Sequence, residues 1–290
     1  MEIPRLPGQP GVSALLDNVE TWSGKGRADE NFPVGSVLVS ARLRPHVHAF
    51  YNFARNADDI ADSPDLAPQD KIVRLDVMEA VLTGQHEAGS PSATALRASL
   101  AQTRTTDRHA RDLLVAFRQD ATKQRYATWE ELVEYCRYSA MPVGRHVLDL
   151  HGEAEATHAP SDGLCAALQV LNHLQDGKKD LAALDRCYLP QDMLRQNGAI
   201  TAELAGAAET PGLRAVFTDM LDRCEAWTVA AIELPRKTQD RRLRLETATI
   251  VGLAGRLARL LRNHDPVAGR VKLRRADAVL SVLAALRFAP

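Results

Sequence analysis

Two groups of aspartates in this chain share one internal spacing. Asp58, Asp59 and Asp62 close the segment FYNFARNADDIAD, and Asp176 and Asp180 close LQVLNHLQDGKKD more than a hundred residues later. In each group the outer carboxylates are four residues apart, which on an α-helix is one turn along the same face. Like charges at that spacing destabilise a bare helix. A chain that does this twice is expected to place a cation between two helices. Hard divalent ions such as Mg²⁺ take carboxylate oxygens and complete their shell with water and substrate phosphate. The spacing therefore points to Mg²⁺-assisted chemistry on a diphosphate.

The neighbours of the aspartates fit that chemistry, each with a plainer alternative. Tyr51 and Arg55 lie on the face that carries Asp58 and Asp62. Arg55 either neutralises the carboxylates in a weak surface pair or clamps a diphosphate held by the same metal. Gln169, Asn172, Asp176 and Asp180 step along the second segment at intervals of 3, 4 and 4. That stripe also suits a solvent-facing helix side, and its match with the first group is what gives it weight. Lys178 and Lys179 add positive charge beside it, and Asp185-Arg186-Cys187-Tyr188-Leu189-Pro190 forms a short exit whose arginine could reach back. A third segment holds Asp120, Lys123, Arg125 and Tyr126 just before a helix start. Basic residues there oppose the macrodipole, as a ligand-facing position often does; a charged turn is the alternative.

The elements that must position these groups are helices. Apolar residues recur at helical period over residues 44–62, 69–82, 92–121 with a break, 129–150, 161–180, 211–234, 243–264 and 274–288. Thr128 is placed to cap the helix beginning at Trp129, with Glu131 three residues on. No alternating strand pattern and no hairpin dipeptide between two such patterns is found. Gly and Pro cluster at 64–68, 84–91, 160–163 and 206–212, none long enough for an interdomain linker. The expectation is an all-α, single-domain helical bundle over 1–290, with an irregular N-terminal segment at 1–28.

Composition removes other classes. A 45% hydrophobic chain of 290 residues can bury a substantial core, and a net charge of −1 without charge blocks argues against nucleic acid as a partner. Four scattered cysteines indicate a reducing compartment, with neither a zinc site nor a disulfide scaffold. There is no GxGxxG, GxxxxGK[ST] or GxSxG, so no nucleotide, dinucleotide or serine-hydrolase site is expected. No signal peptide or membrane-spanning run is visible, which suggests a cytoplasmic protein, with peripheral contact to a membrane left open.

With ADDIAD at 57–62, QVLNHLQDGKKD at 169–180 and RCYLP at 186–190 in this order, the chain resembles the squalene/phytoene synthase family from residue 32 to about 275. These are isoprenoid synthases, all-helical, with two aspartate-rich motifs facing across a central cavity. ENFPVGS at 30–36, SAMPVGR at 139–145 and Gln175 make it most similar to the hydroxysqualene-forming branch of bacterial hopanoid pathways. Asp185 stands where the family carries a glycine, which puts the loop geometry there in question.

The resemblance implies three Mg²⁺ ions. Asp58 and Asp62 would hold metal on one wall and Asn172, Asp176 and Asp180 on the other, with Asp59 supporting them. Arg55, Lys123, Arg125, Lys179 and Arg186 would bind the diphosphate, while Tyr51, Phe32, Gln169 and Tyr188 would line the cavity. The implied substrate is presqualene diphosphate, ionised, rearranged and quenched by one water without NADPH or a C-terminal anchor. A presqualene diphosphate synthase is then the natural partner. Two alternatives stand beside this reading. One is condensation of two prenyl diphosphates, such as farnesyl diphosphate, to presqualene or prephytoene diphosphate. The other is a catalytically silent scaffold, which would be expected to lose metal carboxylates that are intact here.

Overall fold

Prolines set the starts of many of the helices, and short polar side chains close several of them. The computed structural model describes residues 18–20 and 39–288. Twelve α-helices follow within these residues: α1 (Arg44–Asp62), α2 (Pro68–Leu82), α3 (Pro91–Thr103), α4 (Arg108–Asp120), α5 (Trp129–Ser139), α6 (Met141–His151), α7 (His158–Leu184), α8 (Gln191–Gln196), α9 (Pro211–Ala230), α10 (Glu233–Lys237), α11 (Arg241–Asn263) and α12 (Arg275–Ala285). Proline occupies the first turn of α1, α2, α3, α6 and α9, where its missing N–H costs nothing. Ser90, Thr128, Thr210 and Asp240 accept hydrogen bonds from the backbone of the first turns they cap. At Thr128 the expected partner is present, since Oγ1 accepts from Glu131 N at 3.3 Å. No strand occurs among the described residues, which hold only isolated bridges at Asn18–Gly89 and Arg125–Cys187.

The expected helix over 129–150 is two helices. The chain turns at Ala140 (φ −127°) and restarts with Pro142 in the first turn of α6. Proline has no N–H for an interior helical bond, so the apolar periodicity continues while the backbone does not. The break expected within 92–121 falls at Arg104, in left-handed geometry with φ 57°. Gly144 on α6 explains part of the 139–145 motif. A Cβ there would lie 2.7 Å from Cys165 Sγ and closer still to Ser161 Oγ, both on α7. Only glycine lets these two helices approach so far.

The core falls into two main bodies. One gathers Phe53, Ile60, Leu75, Met78, Leu96 and Leu114 from α1–α4. The other gathers Leu132, Leu148, Leu171, Phe217, Leu221 and Leu257 from α5–α11. Between them α1, α6, α7 and α11 surround a cavity of about 420 Å³. None of the described helices is long and apolar enough to cross a membrane.

Candidate active site

The aspartates end the two helices that wall this cavity. Tyr51, near the middle of α1, and Gln169 and Asn172 of α7 line it among apolar residues such as Leu148, Leu164 and Ile250. The first two residues of the polar stripe of α7, Gln169 and Asn172, thus face the cavity rather than solvent. One to three turns further along each helix come Asp58 and Asp62, and Asp176 and Asp180. The two ends face each other closely enough for Asp62 to raise the pKa of Asp180.

The first group is braced by Arg55. Its Nη1 lies 3.0 Å from Asp58 Oδ2, and its Nη2 donates to Asp59 Oδ1 at 2.6 Å. Asp59 is buried and turned to this arginine. Desolvation at the wall and the neighbouring Asp62 carboxylate hold the Asp58 pKa well above the ordinary carboxylate range, against the pull of Arg55. On the facing helix, burial and the adjacent Asp176 raise Asp180 to about 6. Arg270 Nε stands 3.6 Å from Asp176 Oδ1.

The exit after α7 crosses to the first motif. Arg186 is only 5% exposed, and its guanidinium joins three elements. It donates through Nη1 to Asp62 Oδ1 (2.9 Å) and to the Tyr188 hydroxyl oxygen (3.2 Å), and through Nη2 to the Asp120 carbonyl (3.0 Å). Asp120 is buried beside it and accepts from Tyr135 Oη at 2.8 Å. Burial lifts Asp120 to about 7, with Arg186 and the Tyr135 hydroxyl working against the rise.

Tyr188 is not among the residues that line the cavity described above. Its ring lies 3.4 Å from that of His173 and 5.6 Å from that of Tyr126, and Tyr135 completes the cluster. Arg186 requires an acceptor beneath it, and the Cys187 N–H bond to the Gln124 carbonyl (2.9 Å) turns the loop inward to supply Tyr188.

Asp185 adopts the left-handed conformation that a glycine would take, with φ 49°. An aspartate tolerates it, and Arg125 Nη2 grips its carboxylate at 2.6 Å. Arg125 and Lys123, expected at the diphosphate, are thus paired with protein carboxylates: Asp185 for one, Glu131 for the other. Lys178 donates to the carbonyls of Gly206 and Val267, and Lys179 is exposed beside Asp180. Gln175 donates to the Val271 carbonyl and ties the 270–275 segment to α7. Phe32 lies outside the described residues.

The donor set suits a hard cation. It is all carboxylate and amide oxygen, and the raised proton affinities of Asp58 and Asp180 record negative charge held together without enough positive charge. Among the described residues no three acidic, imidazole or thiol side chains converge on one point. An ion here must complete its shell with other oxygens, which is the habit of Mg²⁺ at phosphate sites.

Sequence reading found these motif positions but missed three neighbours. Asp120 was visible only as a member of a segment open to two readings, ligand-facing or a charged turn. Tyr135 falls within the apolar period of 129–150 and carries no separate signal. Arg270 carries no local signal at all.

An all-helical cavity with facing carboxylate motifs at one end is the architecture of an isoprenoid synthase. The model of the squalene/phytoene synthase family matches residues 25–277, and the chain belongs to that family. It is 44% identical over 267 residues to the hydroxysqualene synthase of Rhodopseudomonas palustris, covering 92% of this chain and 91% of the relative. To the hydroxysqualene synthase of Sinorhizobium fredii it is 43% identical over 258 residues, covering 89% and 88%. Among solved structures it is similar to squalene synthase HpnC from Alicyclobacillus acidocaldarius, with TM-score 0.72, 33% identity, and coverage of 82% of this chain and 90% of that one.

Proposed function

We propose that this chain is a hydroxysqualene synthase that converts presqualene diphosphate to hydroxysqualene and diphosphate. The observation that carries this reading is the charge layout of the cavity. Asp58, Asp62, Asp176 and Asp180 lie further along α1 and α7, the two helices whose preceding turns line a cavity walled mainly by apolar side chains. The relatives at 44% and 43% identity place it in the hydroxysqualene branch and give the condensing and scaffold alternatives no support.

Asp58, Asp62, Asn172, Asp176 and Asp180 would hold Mg²⁺, three ions in this reading, which withdraws charge from the diphosphate as a Lewis acid. Arg55 and Arg186 add fixed positive charge at the same end, where desolvation strengthens it. Lys179 lies beside Asp180, and Lys123 and Arg125 would engage the diphosphate by exchanging their present carboxylate partners. The C–O bond breaks with its electron pair leaving on the diphosphate oxygen. The apolar wall keeps bulk water from the cation, and the faces of Tyr51 and Phe50 favour positive charge beside them. After rearrangement one water adds, so the reaction needs no reductant.

The test is a product assay with Mg²⁺ and without NADPH, offering presqualene diphosphate and farnesyl diphosphate separately. Hydroxysqualene from the first alone is expected. Presqualene diphosphate accumulating from the second would make the chain a condensing enzyme, and silence with both would overturn the reading. Contact with a membrane belongs to the same proposal, supported by exposed Val279, Leu283 and Leu286 beside exposed Arg275 and Arg287 at the C-terminal end. Failure to co-sediment with phosphatidylglycerol vesicles would remove that part.

A further inference from the structure

Quenching a carbocation with a single water requires a place where that water waits with its lone pairs turned to the substrate. Such a site needs two hydrogen-bond acceptors on an otherwise apolar wall, since a water held by donors would turn its hydrogens to the cation. Waters inside proteins are held by two to four polar partners.

Glu246 is the one carboxyl group among the described residues that line the cavity. It lies on α11, away from both aspartate motifs, is 6% exposed, and shares its wall with Leu234, Leu243 and Ile250. It is the carboxyl group of the cavity wall itself, and the aspartate chemistry at the other helices makes no use of it. Thr247, the next residue, also lines the cavity. Its hydroxyl hydrogen is committed to the Arg244 carbonyl at 3.0 Å, which leaves the oxygen as an acceptor. The other basic group of the wall, His146, has one ring face covered by Phe50 at 3.9 Å. Burial pushes its pKa down to about 3, so it is a weak base.

We infer that Glu246 and Thr247 form the site of the quenching water. The water donates one hydrogen to each and presents its lone pairs to the cavity. As the rearranged cation comes within reach, an oxygen lone pair forms the new C–O bond. The oxonium proton then passes to the Glu246 carboxylate, and no electrons are exchanged with any further reactant. The inference rests on the water-quenched reaction proposed above and assigns the groups that perform its last step.

The experiment uses the full chain with presqualene diphosphate and Mg²⁺, measuring alcohol, hydrocarbon and diphosphate together. In Glu246→Leu the alcohol share of product is expected to fall roughly tenfold or more, and in Thr247→Val several-fold, because a site built for hydrogen bonds loses its ligand when an acceptor is removed. The missing product appears as hydrocarbon, formed when the cation loses a proton from an adjacent carbon to make a C=C bond. Diphosphate release stays within about threefold of the parent, since ionisation is untouched.

An unchanged alcohol share in both variants overturns the inference. So does loss of diphosphate release with the share preserved, which marks a structural role. If Glu246→Leu does not fold by circular dichroism, Thr247→Val, close in shape to the parent residue, decides alone. A parent enzyme that makes no alcohol overturns the proposed reaction itself, a result distinct from either.

Discussion

Replacing Arg186 with methionine tests how the two motifs are held together. The guanidinium is buried and contacts Asp62, the Asp120 carbonyl and Tyr188, and lies 3.9 Å from Asp120 Oδ1. Methionine fills much of the same volume but leaves the buried Asp120 carboxyl beside no cation. Removing one member of a buried ion pair costs about 3–5 kcal/mol, and at roughly 2–4 °C per kcal/mol the midpoint should fall by about 6–20 °C.

The sign of the pH effect follows from Asp120. Its folded pKa, about 7, is above the ordinary 3.8, so the stability tied to its protonated form is complete below the lower value and lost as pH rises through the upper one. Without Arg186 the carboxyl holds its proton more tightly still. The loss in Arg186→Met should therefore be larger at pH 8 than at pH 6, and Arg186→Met/Asp120→Asn should recover part of it. Thermal melts of the parent, both single variants and the double variant at these two pH values measure the effect. A drop under about 2 °C, or a double variant no more stable than Arg186→Met at pH 8, would refute the claim that this buried network anchors the loop after α7.

Three further outcomes are expected. Asp58→Asn or Asp176→Asn should lower turnover by about two orders of magnitude or more with helix content unchanged; near-parental activity in either would sink the two-motif metal site. His146 and His173 are buried with pKa values pushed down to about 3, so their contribution is full above about 6.5 and is lost as pH falls toward the folded value. Relative to the parent, His146→Phe should gain roughly 2 kcal/mol in urea-unfolding free energy between pH 6.5 and 5, at about 1.4 kcal/mol per pH unit; a difference independent of pH would contradict it. Gly144→Ala should cost about 1–3 kcal/mol by pushing α6 from α7, and an unchanged urea midpoint would show that Ser161 and Cys165 move aside freely.

The parts of this site that the sequence made legible are those governed by local rules. The pairs Asp58/Asp62 and Asp176/Asp180 are one helical turn apart, and helical period is visible in any amphipathic segment. Proline in the first turn and the Thr128 cap likewise act within four residues of themselves. What stayed hidden depends on the chain returning from far away. Arg186 meets Asp62 across 124 residues, and Gln175 meets Val271 across 96, so no window of sequence contains either pair. Tyr188, expected at the cavity from the resemblance alone, instead stacks on His173, a contact that no local pattern in a short irregular segment shows. The split at Ala140 was hidden because α5 and α6 keep one apolar period across the turn.

The carboxylates and Glu246 divide the chemistry between opposite parts of one cavity. Asp58, Asp62 and Asp180 crowd negative charge that only a cation relieves, and Arg55 and Arg186 hold them without neutralising the set. This is a poor arrangement for stability alone, since apolar side chains of similar volume commonly do better. It suits the proposed site, which metal and diphosphate would complete before ionisation. Glu246 and Thr247 sit on α11, a helix that carries neither motif. Ionisation and quenching are thereby assigned to separate helices, so a change in one wall can alter which product forms while leaving the rate of diphosphate loss nearly constant. On the proposed reading, product identity in this chain is set by Glu246 and Thr247 of α11, and the rate of ionisation by α1 and α7.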